Sequence, residues 1–189
     1  MPMLVTLAVV LIAVVVVAVI YNGLVGLRNR AAAAWSDISV QLARRHDLVG
    51  NLVETVKGYV RHERETLEKV VEARRLAMQA AGTGGPREAG PAENALAAQV
   101  HSLIAVAEGY PDLKANASFL ELQRSLVAIE DTIQSARRYY NAVVRDFNTR
   151  VQSVPDTIVA RWFGFRERDY FELSDPRDGE APKVSFQES

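Results

Sequence analysis

Three histidines are the residues whose type and spacing could bind a metal ion. His46 and His62 lie in the charged stretch RRHDLVGNLVETVKGYVRHE, residues 44–63, and His101 follows later. A zinc hydrolase helix needs the pattern HExxH, but Thr66 stands where the second histidine belongs. A di-iron bundle needs paired ExxH motifs, but the residues three before the histidines are Ala, Tyr and Ala. The spacing therefore supports neither kind of metal site.

Nucleophilic and phosphate-binding motifs are also missing from the sequence. Ser153, in SVP, has no neighbouring activation motif, and no GxSxG pattern occurs. The glycine-rich segment GTGGPREAG, residues 82–90, follows no strand pattern and lacks the Gly-Lys-Ser/Thr of a phosphate loop. The chain has no cysteine, which excludes thiol chemistry and disulfides. We therefore predict a protein that is not an enzyme, with no cofactor and no small-molecule substrate.

The polar residues of 44–63 instead favour an interaction surface. At 100° per residue, one side of a helix through this stretch carries a set that we treat as a candidate partner-binding face: Asp47, Asn51, Glu54, Gly58 and His62. A glycine in the middle of a helix costs about 0.5–1 kcal/mol relative to alanine, and a closely packed partner helix would offset that cost. The alternative is a solvated face, with Arg45 and Glu63 of the apolar side paired to polar groups on another helix.

A second group of polar residues lies in the turn GYPDLKAN. Asp112, Lys114 and Asn116 could form a ligand loop, but such a turn more often fixes a helix connection, with the Asn side chain satisfying free backbone groups. Asn141 and Asn148, beside the apolar stripe of a later helix, could bind a partner or set the register of helix packing.

A membrane anchor precedes these polar segments. Met3 to Ile20 is apolar except for Thr6, which is about the length that crosses ~30 Å of hydrocarbon as a helix. A cleaved signal peptide is the alternative, but it would have a basic segment in front and a shorter apolar core. Because Arg28 and Arg30 follow the anchor, the positive-inside rule predicts a short outside N-terminus and a cytoplasmic C-terminal domain.

Apolar periodicity predicts the fold class. Apolar residues recur at steps of three and four from Trp35 to Leu67 and from Phe119 to Val151, and no segment alternates as a strand would. We expect an all-α protein, with an N-terminal transmembrane helix followed by an antiparallel helical bundle that contains one very long helix. The predicted domains are an anchor over 1–27, a bundle over 28–165 with a flexible connector at 82–92, and an extended C-terminal tail over 166–189.

The helix boundaries follow from the breakers and caps. We expect the long first helix to continue to the connector, and a second helix over Glu93 to Glu108. Ser118 and Glu121 have the spacing of a capping box at the start of a third helix that ends near Ser153. Pro155 is placed for the first turn of a short helix that ends near Gly164.

Several long strings resemble those of the LemA family of membrane-anchored bacterial proteins. They are YNGLVGLRNR, AWSDISVQLARRHDLVGNLVETVKGYVRHE, EGYPDLKANASFLELQ, ARRYYNAVVRDFNTRVQSVPDTIVARWFGF and the tail string YFEL. The family usually has proline where this chain has Gly50, so the helix here could be straighter or locally looser. The resemblance implies a single-pass membrane protein with an antiparallel helical bundle, no established enzymatic activity and no catalytic residues.

These observations lead to three hypotheses of function. The first is a scaffold or adaptor that is anchored in the bilayer and binds an unidentified protein. The alternative is a membrane-organising or remodelling protein that self-assembles as a homo-oligomer, and the third is a metal-dependent enzyme. Nucleic acid is not expected as a partner, because 22 basic and 23 acidic residues leave a formal net charge of -1.

Overall fold

The computed structural model describes residues 1–60 and 63–173, and every regular element in these ranges is an α-helix. The helices are α1 (Pro2–Lys57), α2 (Arg64–Thr83), α3 (Gly85–Ala107), α4 (Pro111–Lys114), α5 (Ala117–Gln152) and α6 (Asp156–Trp162). The all-α fold class is therefore confirmed.

Helix α1 joins the apolar anchor to the bundle without interruption. Its N-terminal part has the length and composition of a membrane span, and the rest of the protein covers almost none of that part. A core helix would be covered, so this exposure fits a membrane anchor. Beyond Ile20 the helix continues to Lys57, which places its end roughly 55 Å farther along at 1.5 Å per residue.

Helix α5 lies antiparallel to α1 along most of its length. Tyr59 beyond the end of α1 accepts a hydrogen bond from Asn116 at the start of α5, at 2.8 Å. At the other end, Phe147 packs in the same cluster as Ile20 and Leu24. Between these contacts, the Trp35 and Tyr140 rings lie 5.8 Å apart. The α1–α5 pair is therefore the central unit of the bundle. Helices α2 and α3 form an antiparallel hairpin that packs mainly on α1.

The long first helix ends earlier than the sequence predicted. Gly58 is the C-cap of α1 rather than a residue in mid-helix, and Tyr59 and Val60 donate backbone hydrogen bonds to the Val56 carbonyl. A Cβ at Gly58 would meet nothing nearer than the Thr55 carbonyl oxygen at 3.6 Å. The glycine therefore needs no closely packed partner helix, because glycine lowers helix stability relative to alanine only in a helix interior.

The predicted flexible connector at 82–92 is instead mostly helix. Only Gly84 separates α2 from α3, and α3 begins at Gly85 rather than at Glu93. Pro86 lies in the first turn, where a missing N–H costs little, while Pro91 lies inside the helix. Gly85, with φ +67°, supplies the left-handed conformation that the tight reversal needs.

The start of α5 also differs from the predicted capping box. Asn116, and not Ser118, is the N-cap, and its Oδ1 accepts a hydrogen bond from the Phe119 N–H at 3.0 Å. Asparagine is as good an N-cap as serine, and Asn116 stands directly after the turn. The end of α5 at Gln152 and the short helix after Pro155 match the prediction.

Residues 166–173 form an extended segment that packs on the bundle, and we call this segment the strap. Phe171 is fully buried and Leu173 is 6% exposed, while Tyr170 and Glu172, the residues directly before each of them, face outward. These residues begin the predicted tail, and they pack into the core because their apolar residues alternate with polar ones. The rest of the predicted tail, 174–189, lies outside the described residues.

Candidate functional site

The predicted partner-binding face is exposed in the structure. Asp47, Asn51, Glu54 and Gly58 all face solvent, and His62 lies outside the described residues. Glu54 pairs with Lys57 at 3.7 Å within the same helix, which stabilises an exposed helix only slightly. No feature of these four positions distinguishes a binding surface from a solvated one, so the face stays a prediction.

Helix α2 covers the side of α1 next to this face. The Arg74 side chain donates to the His46 carbonyl at 2.6 Å and lies 4.0 Å from Asp47. A Cβ at Gly50 would sit 3.4 Å from the Arg74 guanidinium, so the glycine leaves room for that side chain. Helix α1 continues through Gly50 without a break.

The residues of the predicted structural loop have separate contacts and do not converge on one point. Asn116 caps α5 and reaches Tyr59, as described above. Lys114 forms an ion pair with Glu108, and Asp112 lies exposed in the first turn of α4. These contacts lie at the end of the bundle far from the anchor, where they connect the end of α3 to α4 and the start of α5 to the end of α1.

A buried polar cluster lies in the middle of the bundle, and it includes Arg45, for which the solvated-face alternative expected polar partners on another helix. Glu93 is fully buried, and its Oε1 lies 2.6 Å from the Nε2 of His46, itself 3% exposed. Arg45, 5% exposed, lies 3.5 Å from Glu93 Oε2 and 3.1 Å from Glu130 Oε2. Gln134 donates to Glu130 at 3.1 Å. The cluster thus joins α1, α3 and α5 through five side chains.

The sequence did carry a signal for two members of this cluster. His46 stands four residues after Leu42 and three before Val49, which places it on the apolar stripe of α1. Glu93 stands four residues after Ala89 and three before Leu96, which places it on the apolar stripe of α3. A polar residue at such a position needs a buried partner, but the pairing across 47 residues follows only from the fold.

A groove of about 820 Å³ opens above this cluster, between α3 and α5. The two helices scarcely pack against each other, so the described residues leave the seam between them open there. Its apolar lining comes from both helices and the strap: Ala97, Val100, Ile104, Leu126, Val127, Ala128 and Leu173. Its polar lining includes Arg45, Glu93, Glu130 and Gln134 at one end.

The strap fills the continuation of the same seam toward the membrane. Asn148 and Asn141 each bind its backbone twice, accepting from and donating to residues 168 and 171 at 2.9–3.0 Å. The two side-chain amides therefore hold the extended strap against α5. The sequence suggested that they bind a partner or set the register of helix packing, and the structure corrects both interpretations. A Cβ at Gly90 of α3 would lie 2.3 Å from the Glu172 carbonyl oxygen, so this glycine permits the close approach.

Burial also affects the tyrosine beneath the strap. The Tyr140 hydroxyl donates to the Asp169 carbonyl at 2.8 Å. Burial raises the pKa of Tyr140 to about 12; Arg168 opposes this rise and Asp169 adds to it. The Tyr140 side chain is therefore a neutral phenol at physiological pH, and its hydroxyl links α5 to the strap.

Two acceptor atoms at the groove end have no hydrogen-bond donor within residues 1–60 and 63–173. They are Gln134 Oε1 and Glu93 Oε2, both buried; Glu93 Oε2 is ion-paired with Arg45 Nη1 at 3.5 Å but accepts no hydrogen bond from it. The Gln134 oxygen is fixed as an acceptor, because its amide nitrogen already donates to Glu130. A buried acceptor without a donor costs about 1–3 kcal/mol, so a donor brought by a ligand would be stabilised here.

Metal binding has no support in the part of the chain that the structure describes. No group of three or more histidine or acidic side chains is placed there to hold an ion. The polar cluster combines an arginine with two carboxylates and one histidine, which suits charge pairing rather than metal coordination.

Comparison with known proteins finds relatives of this chain in several bacteria. The magnetosome protein MamQ of Magnetospirillum gryphiswaldense is 26% identical over 175 residues, covering 80% of this chain and 64% of that protein. The magnetosome protein MamQ 2 of Paramagnetospirillum magneticum is 25% identical, covering 88% and 69%. The protein LemA of Metamycoplasma hominis is 28% identical, covering 74% and 63%.

The chain therefore spans less than two thirds of the first of these relatives, and none of their names assigns an enzymatic activity. The sequence model described as LemA family matches residues 34–186, which is most of the chain. That match includes the bundle, the strap and both sides of the groove. The chain belongs to the LemA family.

Proposed function

We propose that this protein is a membrane-anchored adaptor that binds a helical segment of another protein in the groove between α3 and α5. The observation that carries the proposal is an apolar groove that ends on two buried acceptors, Gln134 Oε1 and Glu93 Oε2, which accept no hydrogen bond from the residues that the structure describes. An adaptor needs a partner site, and an apolar groove with hydrogen-bonding groups at one end suits that role.

The dimensions of the groove favour a short helix. Its α3 side extends from Glu93 to Ile104, which is roughly 17 Å of helix axis, or about three turns. Apolar residues on both walls would take the apolar face of an amphipathic helix, as in other helix-in-groove complexes. A lysine or arginine at the end of that helix would donate to Gln134 Oε1 and add a hydrogen bond at Glu93 Oε2, which has only the ion pair with Arg45.

The chain's own C-terminus is a poor match for this groove. The seven residues after Leu173 are Ser, Asp, Pro, Arg, Asp, Gly and Glu, none of which has a large apolar side chain. Three of them are acidic and one, Arg177, is basic, so this stretch cannot supply the apolar face that the groove walls would take. A segment from a second protein therefore suits the groove better.

A groove-blocking substitution tests the proposal. Ala128 is exposed and lines the groove, so Ala128→Trp should fill it without disturbing the core. Ala43 is an exposed alanine of α1 that does not line the groove, and Ala43→Trp is the matched control. We expect a partner that co-purifies in mild detergent with the wild type and Ala43→Trp, and is reduced roughly tenfold or more by Ala128→Trp.

The candidate face on α1 provides the competing outcome. If Asn51→Arg removes the partner and Ala128→Trp does not, the partner binds the Asp47 to His62 face instead. If the only protein retained is a second copy of this chain, the self-assembling alternative is supported and the adaptor proposal fails.

We further propose that the bundle faces the cytoplasm, because Arg28 and Arg30 follow the anchor. The lack of native cysteine allows a direct test with Ser189→Cys and a membrane-impermeant maleimide. Labelling only after permeabilisation is expected, and labelling of intact cells would reverse the proposed topology.

A further inference from the structure

An apolar surface lies exposed beside the membrane end of α1. Val154, Ile158, Trp162 and Phe163 are 78%, 50%, 77% and 54% exposed. Ile158 and Trp162 are four residues apart and share one face of α6, and Phe163 follows directly. Exposed apolar residues are ordinary when they are scattered, but a cluster of this kind marks an interaction site. We call these four residues the α6 face.

The packing of α6 fixes the level of this face relative to the anchor. Val159, Ala160 and Phe165 are buried in one cluster with Ile20 and Leu24, and Val17 packs against that cluster. The Phe163 ring lies 4.7 Å from the ring of Tyr21. Because Ile20 is the last residue of the apolar run, α6 lies beside the point where α1 leaves the hydrocarbon.

The turn after α6 separates the exposed aromatic residues from the buried one. Gly164 has φ +72°, and the Phe165 N–H donates to the Ala160 carbonyl at 2.9 Å, which is the 6→1 bond of a Schellman motif. This turn sends Phe165 into the core while Phe163 stays outside. The exposure of Trp162 and Phe163 is thus fixed by the backbone conformation of an ordered turn.

Charge near the α6 face suits a lipid surface. Arg161 and Arg166 are exposed on either side of the two aromatic residues, and Arg28 lies over the Phe165 ring at 5.5 Å from its centroid. The nearest acidic group in α6, Asp156, is paired with Arg150 at 2.5 Å. Arginine side chains at this level attract anionic headgroups, and tryptophan favours the interface between headgroups and chains.

We propose that the α6 face inserts into the interfacial region of the same bilayer that holds α1, as a second membrane contact. The bundle would then be attached at two points and held at a fixed angle to the membrane. The occupant is a lipid surface rather than a protein because Phe163 of this face packs on Tyr21, the residue directly after the apolar run of α1. A single spanning helix alone would leave the bundle free to rotate about α1.

The two tryptophans of the chain allow a matched test. The full chain is reconstituted in vesicles of phosphatidylcholine and phosphatidylglycerol, with or without bromine on the acyl chains, because bromine quenches tryptophan on contact. Trp35→Phe leaves Trp162 alone, and Trp162→Phe leaves Trp35, which lies roughly 22 Å beyond Ile20 along α1.

We expect brominated vesicles to remove most of the Trp162 emission and to leave the Trp35 emission unchanged. An unquenched Trp162 would overturn the proposal, as would equal quenching of both, which would mean that the whole bundle lies on the bilayer.

A second variant keeps the test valid if Trp35→Phe disturbs the core. A spin label on Ile158→Cys should be accessible to oxygen and protected from a water-soluble paramagnetic chelate, whereas a label on Asn51→Cys should show the reverse. Equal accessibility to the chelate at both positions would also refute the membrane contact.

Discussion

Glu93 is the residue whose removal tests the buried polar cluster most sharply. It is fully buried, it lies 2.6 Å from His46 and 3.5 Å from Arg45, and it is the one carboxylate of the cluster with no exposure. Breaking a buried charge pair by removing one partner costs about 3–5 kcal/mol, because the other partner stays buried without compensation. Arg45 keeps Glu130 at 3.1 Å, so the loss should fall near the lower end of that range.

We therefore expect Glu93→Ala to lower the free energy of unfolding by about 3 kcal/mol. The measurement is urea unfolding of the full chain in mild detergent, followed by circular dichroism. Glu54→Ala is the matched control, because Glu54 is an exposed glutamate with an ion pair inside its own helix. That control should change stability by less than about 0.5 kcal/mol.

A double-mutant cycle with His46→Leu separates the pair from the general loss of packing. If the two side chains interact as the 2.6 Å contact indicates, the double variant should lose less than the sum of the two single losses. We expect a difference of more than about 1 kcal/mol. A loss below about 1 kcal/mol for Glu93→Ala, or strict additivity in the cycle, would refute the buried cluster.

Three further predictions concern the strap and the helix beneath it. Phe171→Ala should cost about 3–5 kcal/mol in the same unfolding measurement, whereas Tyr170→Ala, with a 40% exposed ring, should cost far less; similar losses would mean that the strap is not part of the core. The folded state holds the Tyr140 proton up to pH about 12, while the unfolded chain loses it near the ordinary tyrosine pKa of 10.0. This group therefore stabilises the fold fully below pH 10 and loses that stabilisation, about 2–3 kcal/mol, as the pH rises to about 12. Tyr140→Phe should flatten this part of a stability-against-pH curve, and an unchanged slope would contradict the assignment. Gly90→Ala should destabilise, because its Cβ would meet the strap backbone, whereas Gly26→Ala has nothing within 4 Å and should be neutral or stabilising; equal effects would argue against the close contact at Gly90.

The elements with strong local signals were predictable from the sequence. The apolar anchor, the periodic stripe of α5 and the proline before α6 each fix an element by local chemistry alone. The membrane-proximal helix start at Pro155 is one example, since proline suits a first turn and the structure begins α6 directly after it.

The elements that depend on distant partners were not predictable in the same way. The sequence around Gly58 does not distinguish a helix interior from a C-cap. The reversal of the chain at Gly84 and Gly85 depends on the packing of α2 against α3, which the local sequence does not specify. The strap has just two buried apolar residues, Phe171 and Leu173, which is too little to distinguish a packed segment from a mobile tail.

The candidate site shows the same division. The exposed face from Asp47 to Glu54 was visible because helical periodicity alone places those residues together. The groove was not, because it is a space between α3 and α5 that the sequence cannot define. The polar cluster at its end was partly predictable, since His46 and Glu93 each interrupt an apolar stripe, but the sequence does not show that the two residues pair.

The central claim is that the groove binds a helix of another protein, and site-specific crosslinking in living cells tests it most directly. A photoreactive amino acid is placed at Val127, which lines the groove and is 65% exposed, and at Val71 of α2, which is 51% exposed and does not line it. We predict a discrete adduct at Val127 but not at Val71, and mass mapping should locate it on an amphipathic helical segment of a different protein. An adduct that maps to residues 174–189 of this chain, or equal crosslinking at the two positions, would contradict the account.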